Sequence, residues 1–85
     1  MMKIRNKRRG FVDVRGEKKF HLLKEGEELT VSGFGTSTLR SVGSMNHFGG
    51  YSPEIFICWA TANRDDGQPF DRLVEVYRED CEVIK

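Results

Sequence analysis

The chain has 85 residues, a formal net charge of +1 and 38% hydrophobic residues, which allows one domain with a modest core and excludes wholesale disorder. The longest apolar run, residues 55–60, is too short to cross a membrane, and no apolar stretch follows the basic start as a secretory signal requires. We therefore expect a single domain over residues 1–85, a cytoplasmic location and no membrane partner.

The charge is divided between two parts of the chain. Residues 1–24 carry nine Lys or Arg and two Asp or Glu, whereas residues 25–85 carry five and eleven, respectively. A basic segment is thus joined to an acidic body. Such asymmetry concerns the choice of partner and the rate of association rather than the fold.

Short β-prone runs separated by glycines begin near residue 11, and no long window has the apolar period of a helix. Residues 11–14 are a candidate strand, and residues 20–23 are a second strand or a single turn. Residues 24–27, Lys-Glu-Gly-Glu, predict a turn in which glycine takes a positive φ. Alternation over residues 29–33 predicts a half-buried strand, and residues 36–42 are able to continue it as a hairpin.

Residues 43–53 predict a long loop, and the strongest strand of the chain follows at residues 54–61. This strand is apolar on both faces, so we expect a central strand covered on both sides or a strand that bridges two parts of a closed barrel. We expect Trp59 in the core rather than at an interface. Asp66-Gly67 predicts a hairpin turn that leads into a strand at residues 73–77. Residues 78–80 predict one turn of 3₁₀ helix before a short last strand at 83–84.

The order of these elements resembles small SH3-like barrels of bacterial and phage accessory proteins. The parts that carry the resemblance are Glu25 to Val31, Ile55 to Trp59, Leu73 to Tyr77 and Arg78 to Ile84. The resemblance implies an all-β, SH3-like barrel of about five to six strands with a long central loop and a barrel core over residues 24–85. It also implies protein or nucleic-acid binding rather than catalysis.

The basic segment at residues 1–10 has three interpretations. Its cations are able to neutralise phosphates, with Phe11, Phe20 or Tyr77 as stacking platforms for bases. In the second interpretation the segment is a solvated arm or a basic edge strand. In the third it docks onto the acidic body of the same or another subunit. The nucleic-acid hypothesis assigns the phosphate contacts to Lys3, Arg5, Lys7, Arg8 and Arg9.

The sequence offers no motif for catalysis, a metal or a cofactor. His21, His47, Cys58 and Cys81 are the soft metal ligands, and none of them is spaced as in a zinc site. Cys58 lies in the apolar strand, and both thiols are expected to be reduced. We expect no catalytic, metal or cofactor site and no enzyme activity.

The loop at 43–53 combines glycine freedom with apolar side chains, a combination that suits adaptable recognition. We predict that Met45, His47, Phe48 and Tyr51 contact a protein partner. The alternative is that the aromatic residues fold under and cap an open end of the barrel.

The sequence therefore predicts a non-catalytic protein-binding module. Its size suits a phage or mobile-element accessory protein that modulates or inhibits a host protein. The alternative is a nucleic-acid-binding module that uses the basic N-terminal segment.

Overall fold

A computed structural model describes residues 1–36 and 54–84 of the chain. The described residues form seven β-strands and one turn of 3₁₀ helix. The strands are β1 (Lys3–Asn6), β2 (Gly10–Val14), β3 (Phe20–Leu23), β4 (Glu28–Thr36), β5 (Glu54–Asn63), β6 (Pro69–Tyr77) and β7 (Cys81–Ile84), and the 3₁₀ turn is Arg78–Asp80.

The strands form one antiparallel sheet in the order β3-β2-β6-β5-β4-β1-β7. Its centre is the meander β4-β5-β6, in which β5 pairs with β6 over nearly its full length. The register of β4 against β5 shifts between Val31 and Gly33, a β-bulge that bends the strand. In the described part of the chain, β3 and β7 are the edge strands.

Three of the turns that connect consecutive strands contain a glycine with a positive φ. Gly16, Gly26 and Gly67 have φ angles of 78°, 82° and 86°, in the region where a Cβ atom is strained. Gly26 lies in the predicted turn at residues 24–27, and Gly67 lies in the predicted hairpin between β5 and β6. The 3₁₀ turn at Arg78–Asp80 also confirms its prediction.

One apolar cluster joins all seven strands. It contains Ile4, Val14, Leu23, Leu29, Phe56, Cys58, Ala60, Val74, Val76 and Cys81. Leu23 belongs to one edge strand and Cys81 to the other, so the sheet curls until its two edges contribute to the same core. The side chain of Asn6 reinforces this arrangement, because its Nδ2 donates to the carbonyls of Arg8 and Lys24 at 2.8 and 3.0 Å.

The all-β prediction is confirmed, and the described residues form seven strands rather than the expected five to six. β2 and β3 match the candidates at residues 11–14 and 20–23, whereas β1 was not predicted. Residues 3–6 are neither an arm nor an edge: β1 pairs with β4 on one side and β7 on the other. Its alternation explains this, since Ile4 and Asn6 are buried while Lys3 and Arg5 are exposed. Because Ile4, Val14 and Leu23 belong to the cluster, the core extends before residue 24.

Candidate functional site

The residues predicted to form the protein-binding loop, Met45, His47, Phe48 and Tyr51, lie outside the described residues, as does the predicted hairpin strand after Thr36. Their role therefore stays a prediction.

The face of the sheet turned away from the core cluster, here called the outer face, carries three exposed aromatic side chains. Phe11, Phe20 and Trp59 are 73%, 62% and 45% exposed. Residues that lie opposite each other, or two apart along one strand, share a face of the sheet. Phe20 lies opposite Asp13, and Phe11 is two residues from Asp13. Asp13 lies opposite Glu75, which is two residues from Leu73, the residue opposite Trp59. Phe20 on β3 and Trp59 on β5 are three strands apart, about 14 Å at the usual spacing.

The prediction that Trp59 belongs to the core is wrong. β5 alternates so that Phe56, Cys58 and Ala60 face the core, and Trp59 therefore points to the outer face. The sequence is apolar on both sides of this strand, so alternation alone did not distinguish the two faces. Trp59 joins the candidate interface residues.

Trp59 continues a row of side chains across the sheet. It lies opposite Thr30 on β4, which lies opposite Lys3 on β1. On its other side Trp59 lies opposite the half-buried Leu73. Around Trp59 the outer face thus combines the apolar Leu73 with the polar Thr30, and a lysine lies two strands away.

A buried ion pair lies within the outer face. The carboxylate of Glu75 is 2% exposed and accepts a hydrogen bond from Nη1 of Arg15, with a nitrogen–oxygen distance of 3.0 Å. The backbone N–H of Arg15 also donates to the carbonyl of Leu73 at 2.9 Å, which extends the pairing of β2 with β6. A buried carboxylate is costly without its cation, so Arg15 fixes the hairpin of β2 and β3 beside the meander.

The basic residues of the N-terminal segment are partly neutralised within the molecule. Arg5 contacts Glu28 at 3.4 Å and Glu82 at 3.1 Å, and Arg8 contacts Asp80 at 3.0 Å. These contacts agree with the hypothesis that the segment docks onto the acidic body of the same subunit. In the described part of the chain, Lys3, Lys7 and Arg9 have no ion pair.

A small pocket joins part of the basic segment to aromatic side chains. It has a volume of about 120 Å³ and is lined by Arg8, Arg9, Phe11 and Tyr77 together with Asn6, Gly10, Val12, Val76 and Asp80. Phe11 and Tyr77 were predicted as stacking platforms for bases, and the fold places both beside two arginines. Phe20 does not line this pocket.

The predicted soft metal ligands that the structure describes are occupied by other contacts or buried in the core. Nε and Nη2 of Arg72 lie 3.2 and 2.7 Å from Nδ1 of the buried His21. Burial, and then the positive charge of Arg72, lower the pKa of His21, so its neutral ring accepts from Arg72 at neutral pH. Over residues 1–36 and 54–84, no three His, Cys, Asp or Glu residues are grouped to hold a metal ion.

Cys58 and Cys81 are both free and buried, as expected of reduced thiols. Burial raises the pKa of Cys58 to about 12 and that of Cys81 to about 11. Because the thiolate is the reactive form, both side chains are poor nucleophiles at neutral pH. Their role in the structure is apolar packing.

Sequence reasoning missed the Arg15–Glu75 pair and the bond between Arg72 and His21. A signal for the first was available, because Glu75 interrupts the apolar run of β6, where an unpaired acid is costly. The position of its cation, 60 residues earlier, depends on the pairing of β2 with β6.

Comparison of the chain with protein-family models, with curated proteins and with solved structures gives no match. Among the residues that the structure describes, no helix has the length and apolar character needed to span a membrane.

Proposed function

We propose that the protein is a non-catalytic protein-binding module built on an SH3-like barrel, whose outer face contacts the partner. The strand arrangement supports the barrel: a three-stranded meander, a 3₁₀ turn before the last strand, and pairing of that strand with β1. The contribution of both edge strands to one core is the behaviour expected when a sheet closes on itself.

The observation that carries the proposal is the exposure of Phe11, Phe20 and Trp59 on one face. Single exposed apolar residues are common on protein surfaces, whereas several large ones on one face are typical of an interaction site. Aromatic side chains supply much of the binding energy of protein interfaces, because they offer a large contact area with few rotatable bonds.

Charge favours a protein partner over a nucleic acid. Two of the five basic residues assigned to phosphates, Arg5 and Arg8, already contact carboxylates of the chain. Within the outer face, the charge of Arg15 is offset by Glu75. The three exposed rings suit the apolar centre of a protein interface, and charged side chains of the same face such as Asp13 and Lys3 suit its polar rim. The partner is therefore expected to present an apolar surface bordered by polar groups.

A pull-down with matched variants tests the proposal. Phe11→Ala and Phe20→Ala remove exposed rings from the outer face, whereas Phe34→Ala removes an exposed ring on the core side of the sheet, where Phe34 contacts Phe56. We expect the wild-type protein and Phe34→Ala to retain a common partner that the other two variants lose. Equal retention by all four proteins contradicts the proposal. Self-association in sedimentation that Phe20→Ala abolishes also contradicts it, because the face then joins two copies of the chain.

Nucleic-acid binding is the second candidate function, and the pocket at Arg8, Arg9, Phe11 and Tyr77 favours it. Aromatic rings beside cations are the arrangement that binds unpaired bases and their phosphates. If Lys7 and Arg9 contact phosphates, the double variant to Gln should reduce the slope of log K against log salt by about 1.4 on a single strand, about 0.7 per contact. Flow-through of the wild-type protein on a DNA resin at low salt removes this candidate.

A further inference from the structure

Two guanidinium groups meet on one aromatic ring at the β5–β6 hairpin. The ζ-carbons of Arg64 and Arg72 lie 5.4 and 5.8 Å from the ring centroid of Phe70. Arg72 is half-buried, and its polar contact is the neutral ring of His21 rather than an acid. Two like charges thus share one ring, and one of them is partly shielded from water.

The other end of β6 provides a direct comparison. The ζ-carbon of Arg78 lies 4.9 Å from the ring centroid of Phe56 and 5.5 Å from that of Phe34, and Arg78 pairs with Glu54 at 3.5 Å. Arg78 therefore combines its ring contacts with a carboxylate.

Arg64 and Arg72 have no such carboxylate. In residues 1–36 and 54–84 no acidic side chain forms an ion pair with either of them, and residues 37–53 contain no Asp or Glu. A ring quadrupole attracts a cation but does not neutralise it. Among the described residues the cluster therefore has two positive charges and no carboxylate within ion-pair distance of either guanidinium, although the charge of Glu27 acts on the neighbouring His21 to raise its pKa.

A phosphate group matches this requirement. Guanidinium groups donate N–H hydrogen bonds that fit phosphate oxygens, and a phosphate dianion balances two such cations whereas a single carboxylate balances one. Nε and Nη2 of Arg72 face His21, so Arg72 offers Nη1 to the phosphate and Arg64 offers its fork of N–H donors. The same hairpin also carries Asp65, Asp66 and Asp71, all exposed, and these acids repel the extended charge of a nucleic-acid strand. The surroundings thus favour one phosphate over a chain of them.

We propose that Arg64 and Arg72, held around Phe70 and beside His21, bind the phosphate group of a small phosphomonoester or of a phosphorylated side chain. Arg72 is oriented by His21, and the exposed Arg64 closes over the bound oxygens. The site lies on the core side of the hairpin and is separate from the aromatic outer face.

Two-dimensional NMR titration of the full chain tests this site, with inorganic phosphate and phosphoserine as separate probes. We expect saturable shifts of the Nε–Hε resonances of Arg64 and Arg72 with either probe. We also expect the pKa of His21 to rise towards its ordinary value, because a bound anion offsets the charge of Arg72. Stronger binding of phosphoserine identifies an organic phosphate as the ligand, and equal binding identifies the bare anion.

Arg64→Gln should weaken phosphate binding about tenfold, the effect of losing one charge-assisted hydrogen bond. Because Arg64 is exposed, this variant should fold normally. Arg78→Gln is the matched control, since it removes an exposed arginine that also contacts aromatic rings but is paired with Glu54, and it should leave the affinity unchanged. Equal weakening by both variants, or no saturable shift, overturns the proposal. Tighter binding of an oligothymidine that depends on Arg64 overturns the preference for a single phosphate.

Discussion

Replacing Arg15 by methionine is expected to destabilise the protein far more than the same change at Arg5. Both residues pair with carboxylates, at 3.0 Å for Arg15 with Glu75 and at 3.1 and 3.4 Å for Arg5 with Glu82 and Glu28. The side chain of Glu75 is 2% exposed, whereas the partners of Arg5 are about half exposed. Loss of Arg15 therefore removes a cation from a carboxylate that is almost completely shielded from water.

The expected magnitudes follow from this difference. Removing one partner of a fully buried pair costs about 3–5 kcal/mol, and because Arg15 is itself about one-third exposed, we expect about 2–3 kcal/mol for Arg15→Met. The pairs of Arg5 are solvated and contribute little, so Arg5→Met should cost clearly less than Arg15→Met. Arg15→Met/Glu75→Gln should recover part of the loss, since the buried negative charge is removed.

Urea denaturation followed by the emission of Trp59, the single tryptophan, measures the free energy of unfolding of these variants. A double-mutant cycle on Arg15 and Glu75 then gives their coupling energy. The reasoning is refuted if Arg15→Met costs no more than Arg5→Met, or if the coupling energy is zero. Either result shows that the carboxylate of Glu75 does not depend on Arg15.

Three further predictions concern packing, pH and backbone conformation. In circular dichroism melts, Trp59→Ala should lower the free energy of unfolding by about 1–2.5 kcal/mol, because only part of the Trp59 side chain is buried. Phe56→Ala should lower it by about 3–5 kcal/mol. Equal losses would show that Trp59 is a core residue. Since burial, and then the charge of Arg72, lower the pKa of His21 in the folded state, its neutral form stabilises the fold above about pH 6.5, and this stability should be lost progressively as the pH falls below that value. A His21→Gln variant with the same pH dependence contradicts this. Gly67→Ala should lower the free energy of unfolding by about 1–2 kcal/mol, because Gly67 has a positive φ. Gly10→Ala should lower it less, because no atom lies within 4 Å of the added Cβ. The reverse order in urea melts would disprove the turn conformation.

Local patterns were sufficient for much of the fold. The alternation of β5, the Asp66-Gly67 turn and the 3₁₀ turn at residues 78–80 are each specified by neighbouring residues, and the structure confirms them. The interior position of residues 3–6 was not predicted. Their charge indicates an exposed segment, whereas the alternation of their side chains buries Ile4 and Asn6.

The candidate site was less predictable, because it depends on contacts between distant strands. Trp59 lies in a strand with apolar residues on both faces, and only the pairing with β4 and β6 determines which face meets the core. Phe11 and Phe20 were considered as platforms for bases, but their alignment with Trp59 on one face requires the pairing of β2 with β6. A sequence contains this pairing only implicitly.

The accessibility of Trp59 to a soluble quencher, measured with and without the bound partner, tests the central claim most directly. Trp59 is the single tryptophan and is 45% exposed on the outer face, so iodide should quench its emission in the free protein. If the outer face is the interface, saturation with the partner should lower the quenching constant markedly, and the Phe34→Ala control should respond in the same way. An unchanged quenching constant at saturation would show that the partner binds elsewhere and would contradict the account.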